Sequence, residues 1–202
     1  MTRDLANLKM KEIKKIVRLY EKKLKIPIKK LNKLLLICPV GFVGAGKTTV
    51  IKPLSRQLSV LRISTDEIRK ILKDNGYNYD RAKEITFYFA DKFLARGFSI
   101  ALDTNCASIE SQKYIKAIKN KFRVKVIWLH INPPEKFIIN KLKNYRHTWL
   151  FENSDNALRN YYHTKVLYKD LTFPYLYTFD PSKPNLKYQI KEAANLIGKI
   201  VS

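Results

Sequence analysis

Short apolar runs recur along this chain, and between them apolar residues repeat at three- and four-residue steps. The runs are Leu34 to Val40, Val60 to Ile63, Phe98 to Leu102, Val124 to Ile131 and Tyr175 to Phe179. Their length and branched or aromatic character read as strands, and the amphipathic stretches between them as helices. Helices are expected over residues 47–58, despite Pro53, and over 67–74, with Thr65 or Asp66 as N-cap and Gly76 as the stop. Further helices are expected over 81–96, 109–120, 135–145 after Pro133 and Pro134, and 186–200. Strands alternating with helices imply an α/β three-layer sandwich around a five-stranded parallel sheet with right-handed crossovers. Ligands then belong at the carboxyl ends of the strands.

Ahead of this pattern, Leu5, Leu8, Ile13, Ile16, Val17, Tyr20 and Leu24 lie on one face of a basic amphipathic helix that ends before Pro27. Residues 1–32 therefore read as an N-terminal extension, and 33–202 as the α/β domain, with 135–170 as a helical lid rich in bases and aromatics.

The end of the first strand carries the most specific signal. Gly41, Phe42, Val43, Gly44, Ala45, Gly46, Lys47 and Thr48 match G-x-x-x-x-G-K-[ST], between a strand and a helix. Glycines at 41, 44 and 46 are expected to take positive φ, so that backbone N–H groups, joined by Ala45 and Thr49, turn toward phosphate oxygens. Lys47 is placed for the β- and γ-phosphates, and the Thr48 hydroxyl for Mg²⁺. The domain is thus expected to be a P-loop NTPase that binds ATP and Mg²⁺.

Two other strand ends carry acids. Asp103 closes the third apolar run, where a carboxylate can hold Mg²⁺ directly or through water; an aspartate there is otherwise a cap. Asp66 and Arg69 sit three residues apart at a helix start, on one face. As a pair they suit a general base and a phosphate clamp, or equally a surface ion pair.

Ser64-Thr65-Asp66-Glu67-Ile68-Arg69 together with Asp103-Thr104-Asn105 resembles the small P-loop kinases that include phage polynucleotide kinase, nucleotide kinases of the AAA-like group and zeta-type toxins. The resemblance implies that Asp66 is the general base, that Arg69 holds the acceptor's phosphate, and that lid arginines close over the transferred group. Arg146, after the lid helix, is the first candidate and Arg159 the second. Trp149, Phe151, Tyr161 and Tyr162 lie close by and either stack on bases or pack the lid. His130, His147 and His163 show no metal-ligand spacing.

Charge then narrows the partner. Forty Lys and Arg against 17 Asp and Glu give +23, a field that attracts polyanions. A lysine-rich composition explains the bases but not the scarcity of acids, so a nucleic-acid partner is expected. No apolar run reaches membrane-spanning length, residues 1–33 lack the apolar core of a signal peptide, and Cys38 and Cys106 read as reduced thiols; a cytoplasmic protein without a membrane partner is expected. The leading reading is a kinase that phosphorylates the 5′-OH end of RNA or DNA. A kinase of a nucleoside, sugar or nucleotide-sugar is the second, and a nucleic-acid-binding NTPase without transfer activity the third.

Overall fold

The computed structural model describes residues 9–144 and 150–201. Its strands are β1 (Leu35–Val40), β2 (Leu61–Ser64), β3 (Ile100–Asp103), β4 (Lys125–Ile131) and β5 (Tyr175–Phe179). All pair in parallel, in the order β2-β3-β1-β4-β5. The helices are α1 (Met10–Glu21), α2 (Lys47–Gln57), α3 (Thr65–Asp74), α4 (Ala82–Ala95), α5 (Ile109–Phe122), α6 (Glu135–Lys143), α7 (Ser154–Leu167) and α8 (Leu186–Val201).

Alternation along the central strand separates the two faces of the sheet. Leu36, Cys38 and Val40 point into a core shared with α1, α3, α4 and α5. Leu35 and Ile37 point into a second core with α2, α6, α7 and α8. All six residues of β1 are buried, as a strand covered on both sides must be. The chain leaves β1 toward β2, whereas from the neighbouring β3 it returns across to β4. That divergence opens a crevice above the carboxyl ends of β1 and β3, and the residues discussed below converge there.

Helix α1 is part of this packing. Ile16 and Tyr20 are fully buried, Tyr20 meets Phe89 edge-to-face at 5.1 Å, and its hydroxyl accepts a hydrogen bond from the Ser64 N–H at 2.7 Å. The extension thus reaches the end of β2 from below. No helix of the described residues is long and apolar enough to cross a membrane.

Several element ends differ from the sequence expectation. Helix α3 starts at Thr65, because Ser64, the last residue of β2, is the cap and accepts from the Glu67 N–H at 3.4 Å. Asp66 lies inside the first turn. Helix α2 runs through Pro53 to Gln57. Strand β3 begins at Ile100, while α1 ends at Glu21, before Pro27 as expected. Within the lid, 154–167 is helical, capped by Asn153, whose side chain accepts from the Asn156 N–H at 2.9 Å.

Candidate active site

The loop between β1 and α2 is shaped by two glycines for different reasons. Gly46, the N-cap of α2, has φ of 97°, a conformation that a side chain resists. Gly41 lacks the expected positive φ and is needed for proximity: a Cβ there would lie 2.6 Å from the Ile131 carbonyl oxygen of β4. The loop is pressed against the end of the neighbouring strand. Ala45 is fully buried, and its N–H donates to the Phe42 carbonyl at 3.2 Å. Gly44, Gly46, Thr48 and Thr49 line the cleft above.

Lys47 folds back over the loop, donating to the carbonyls of Gly41 at 2.8 Å and Phe42 at 2.9 Å. Burial lowers its pKa from the usual lysine value, against the pull of Asp66 and Asp103. An ammonium held, among the described residues, by two neutral carbonyls, beside the N-terminus of an eleven-residue helix, is poised for anionic oxygens.

Behind Lys47 the Thr48 hydroxyl donates to Asp103 Oδ1 at 3.1 Å. Asp103 is only 4% exposed. Its other oxygen, Oδ2, accepts from Arg62 Nε at 2.8 Å and Nη2 at 2.6 Å, while Arg62 Nη1 holds Glu67 Oε1 at 2.7 Å. Burial raises the Asp103 pKa above the usual carboxylate value; the guanidinium and the threonine hydroxyl oppose the rise. Two hard oxygens 3.1 Å apart suit Mg²⁺, which takes one or two protein oxygens and completes its shell with water and phosphate. No cluster of three or more His, Cys, Asp and Glu that could hold another metal occurs among the described residues.

Sequence reading overlooked Arg62, although a signal existed. A guanidinium inside a short apolar strand must be paired. In register, Arg62 lies opposite Ala101 and Ser64 opposite Asp103, so Arg62 and Asp103 share a face of the sheet.

Across the cleft, Arg69 Nη1 donates to Asp66 Oδ1 at 2.8 Å. Their side chains are 29% and 44% exposed, so the pair is open to an incoming group. Both line the same cleft of about 800 Å³ as Lys47, Thr48 and Asp103. Tyr79, Lys83, Asn105 and Ser108 complete this wall, with the Lys83 ammonium 2.9 Å from Ser108 Oγ. Asn105 belongs to the Asp103-Thr104-Asn105 segment already noted in the sequence, whereas Tyr79, Lys83 and Ser108 were marked by no local pattern.

The lid residues divide. Asn160, Thr164 and Tyr168, one turn apart along α7 and at its end, line the cleft. Arg159 does not: it is exposed and donates to Asn156 Oδ1 at 2.8 Å. Arg146, His147 and Trp149 lie outside the described residues. Phe151 lines the cleft, Tyr161 is buried edge-to-face on Phe42 at 5.5 Å, and Tyr162 points outward. Tyr161 therefore packs the lid onto the loop. His130, half-buried, stacks on Tyr175 at 4.4 Å.

A family model described as "AAA domain" matches residues 36–148, more than half of the chain. The chain belongs to that AAA domain family. The AAA match spans the loop, Asp66, Arg69, Asp103 and the first lid helix, and stops before α7 and β5. No curated protein matches by sequence. Solved structures resemble this AAA domain in fold. A candidate kinase from Chloroflexus aurantiacus superposes with a TM-score of 0.64 at 15% identity, covering 84% of this chain and 98% of its own. A structure of the PezAT chromosomal toxin–antitoxin system of Streptococcus pneumoniae gives 0.62 at 13%, covering 97% and 99%. Mycobacterium tuberculosis APS kinase, in complex with AMPPNP and APS, gives 0.52 at 13%, covering 84% and 99%. The fold is that of the small P-loop kinases.

Proposed function

We propose that this protein is an ATP- and Mg²⁺-dependent kinase that transfers the γ-phosphate to a hydroxyl, with the 5′-OH end of RNA or DNA as preferred acceptor. The observation that carries the proposal is that one cleft holds both the loop with Lys47 and, facing it, the Asp66–Arg69 pair. Phosphoryl transfer asks a protein for little beyond placing donor and acceptor and stabilising spread charge. Lys47 exchanges its loop carbonyls for phosphate oxygens, and the N–H groups of the loop receive the rest. Thr48 and Asp103 are the residues that would hold Mg²⁺, which supplies charge neutralisation at the phosphates. Asp66 accepts the hydroxyl proton as the new P–O bond forms and the bond to the leaving ADP breaks. Arg69, released from Asp66, grips the phosphate of the acceptor's first nucleotide by its planar fork. The net charge of +23 favours a polyanionic acceptor.

One observation favours a smaller acceptor. The wall of Tyr79, Lys83, Asn105 and Ser108 offers hydroxyl, amide and ammonium groups to a small polar acceptor, which suits a nucleoside or sugar. The test is a screen with γ-labelled ATP against 5′-OH RNA, 5′-OH DNA and small alcohols. Label should appear on the oligonucleotides, and Asp66→Ala should cut transfer by at least ~10²-fold while leaving ATP affinity unchanged. Transfer by Asp66→Ala within a few-fold of wild type would remove the base assignment. Label only on a small alcohol would select the second acceptor class.

A further inference from the structure

A second cleft, of about 420 Å³, opens beside the first, between the segment after α1 and the outer end of α2. Lys23 and Lys25 approach from one side, and Lys52 and Arg56 from the other. All four are exposed, and none forms an ion pair among the described residues. The one acid in the lining, Glu67, is held by Arg62. Ile26 and Ile28, both exposed, add apolar surface at the rim. Like charges gathered without counter-ions repel one another, and a bound anion removes that cost.

The position narrows the anion. Thr48, Lys52 and Arg56 lie on successive turns of α2, about 6 Å apart along the axis. The row therefore starts at the first cleft and leads away at a spacing like that between successive phosphates of an extended strand. Arg62 is the wall between the two clefts, with Asp103 on one side and Glu67 on the other. A membrane surface is disfavoured, because the apolar face of α1 is spent on the core: Ile16 and Tyr20 are fully buried.

We infer that this second cleft is a trough for the phosphodiester backbone of a nucleic-acid strand whose 5′ end lies in the first cleft. Lys23, Lys25, Lys52 and Arg56 neutralise its phosphates without reading sequence. The direction of the strand rests on the proposed polynucleotide acceptor; the binding of a strand does not.

The test uses the full chain and a fluorescein-labelled 12-nucleotide single strand carrying a 5′-OH, titrated by anisotropy across a salt series. Lys23→Gln/Lys25→Gln/Lys52→Gln/Arg56→Gln should weaken binding at least tenfold and reduce the log–log salt slope by about 3, since each phosphate contact on a single strand contributes ~0.7. A control removing the same charge elsewhere, Lys113→Gln/Lys116→Gln/Lys187→Gln/Lys191→Gln, should change affinity less than threefold. In transfer assays the cleft variant should raise KM for the 12-mer about tenfold, and leave kcat and the KM of a 5′-OH dinucleotide unchanged. Equal losses in the two quadruple variants would overturn the trough, even if transfer to oligonucleotides occurs. Transfer to no oligonucleotide, with binding still lost only in the cleft variant, would sustain the strand site and overturn the acceptor reading instead.

Discussion

The two sides of the cleft are built in different ways. The loop side comes from one continuous segment, residues 41–49, backed by Asp103 of the adjacent strand, and the side chains of Lys47, Thr48 and Asp103 are already hydrogen-bonded. The opposite side is gathered from α3, α4, the segment after β3 and α7, and its Asp66–Arg69 pair stands half open to solvent. A side that binds the same phosphates in every turnover gains from being rigid beforehand. A side that must admit and release an acceptor gains from exposed groups whose ion pair is cheap to break.

The largest expected effect tests the rigid side. Lys47→Ala removes the cation but also frees two loop carbonyls, and transfer should fall by ~10³-fold with loss of nucleotide binding. Thermal unfolding, read by circular dichroism, should show the fold intact. Undiminished nucleotide affinity would break the contrast, since the loop would then hold phosphates without its lysine.

Next in size is Arg62→Ala. Asp103 is 4% exposed, and Arg62 is the cation that pairs it. Removing one partner of such a pair costs ~3 kcal/mol, which in a domain of this size lowers Tm by ~6–12 °C. The sign with pH is definite. Burial already holds Asp103 above the usual carboxylate value, and loss of Arg62 lifts it further. A carboxyl whose folded pKa is raised favours the native state when protonated, so the deficit should be greatest near neutrality and shrink as pH falls through the raised pKa. Adding Asp103→Asn to Arg62→Ala should restore much of the loss.

Gly41→Ala tests the other source of rigidity. The added methyl meets a backbone oxygen at 2.6 Å, which cannot rotate away. We expect ~2 kcal/mol of destabilisation by chemical denaturation and weaker nucleotide binding. Gly198→Ala, in α8, where an added Cβ meets nothing within 4 Å, should instead stabilise by ~0.5–1 kcal/mol through helix propensity.

What could be read from the sequence follows the same division. The loop was legible because glycine, lysine, threonine, strand and helix are adjacent in the chain. Strand β5 was legible because Tyr175 to Phe179 is an apolar run bounded by breakers. Helix α7 was legible only as part of a helical lid, without bounds of its own, because Ala157 and Tyr161 are its buried residues and its pattern is correspondingly faint. Tyr79, Lys83 and Ser108 were not, because only the packing of α3, α4 and α5 on one face of the sheet brings them to the cleft. In the sequence Tyr20 is one of an apolar stripe, and only the docking of α1 brings its hydroxyl to Ser64.

The smallest effect sharpens the boundary between the two sides. A side chain at position 159 points about 100° around the helix from one at 160, and along α7 it is Asn160, Thr164 and Tyr168 that line the cleft. Arg159 is exposed and bonded to Asn156, so Arg159→Ala should leave kcat and KM for ATP within twofold. Asn160→Ala removes a polar group from the cleft wall and should raise a KM several-fold; the substrate whose KM rises tells which side of the cleft α7 serves. A tenfold fall in kcat from Arg159→Ala would show that α7 turns by about a quarter of a revolution on the way to the reacting complex, and that the open side of the cleft reaches over the rigid one.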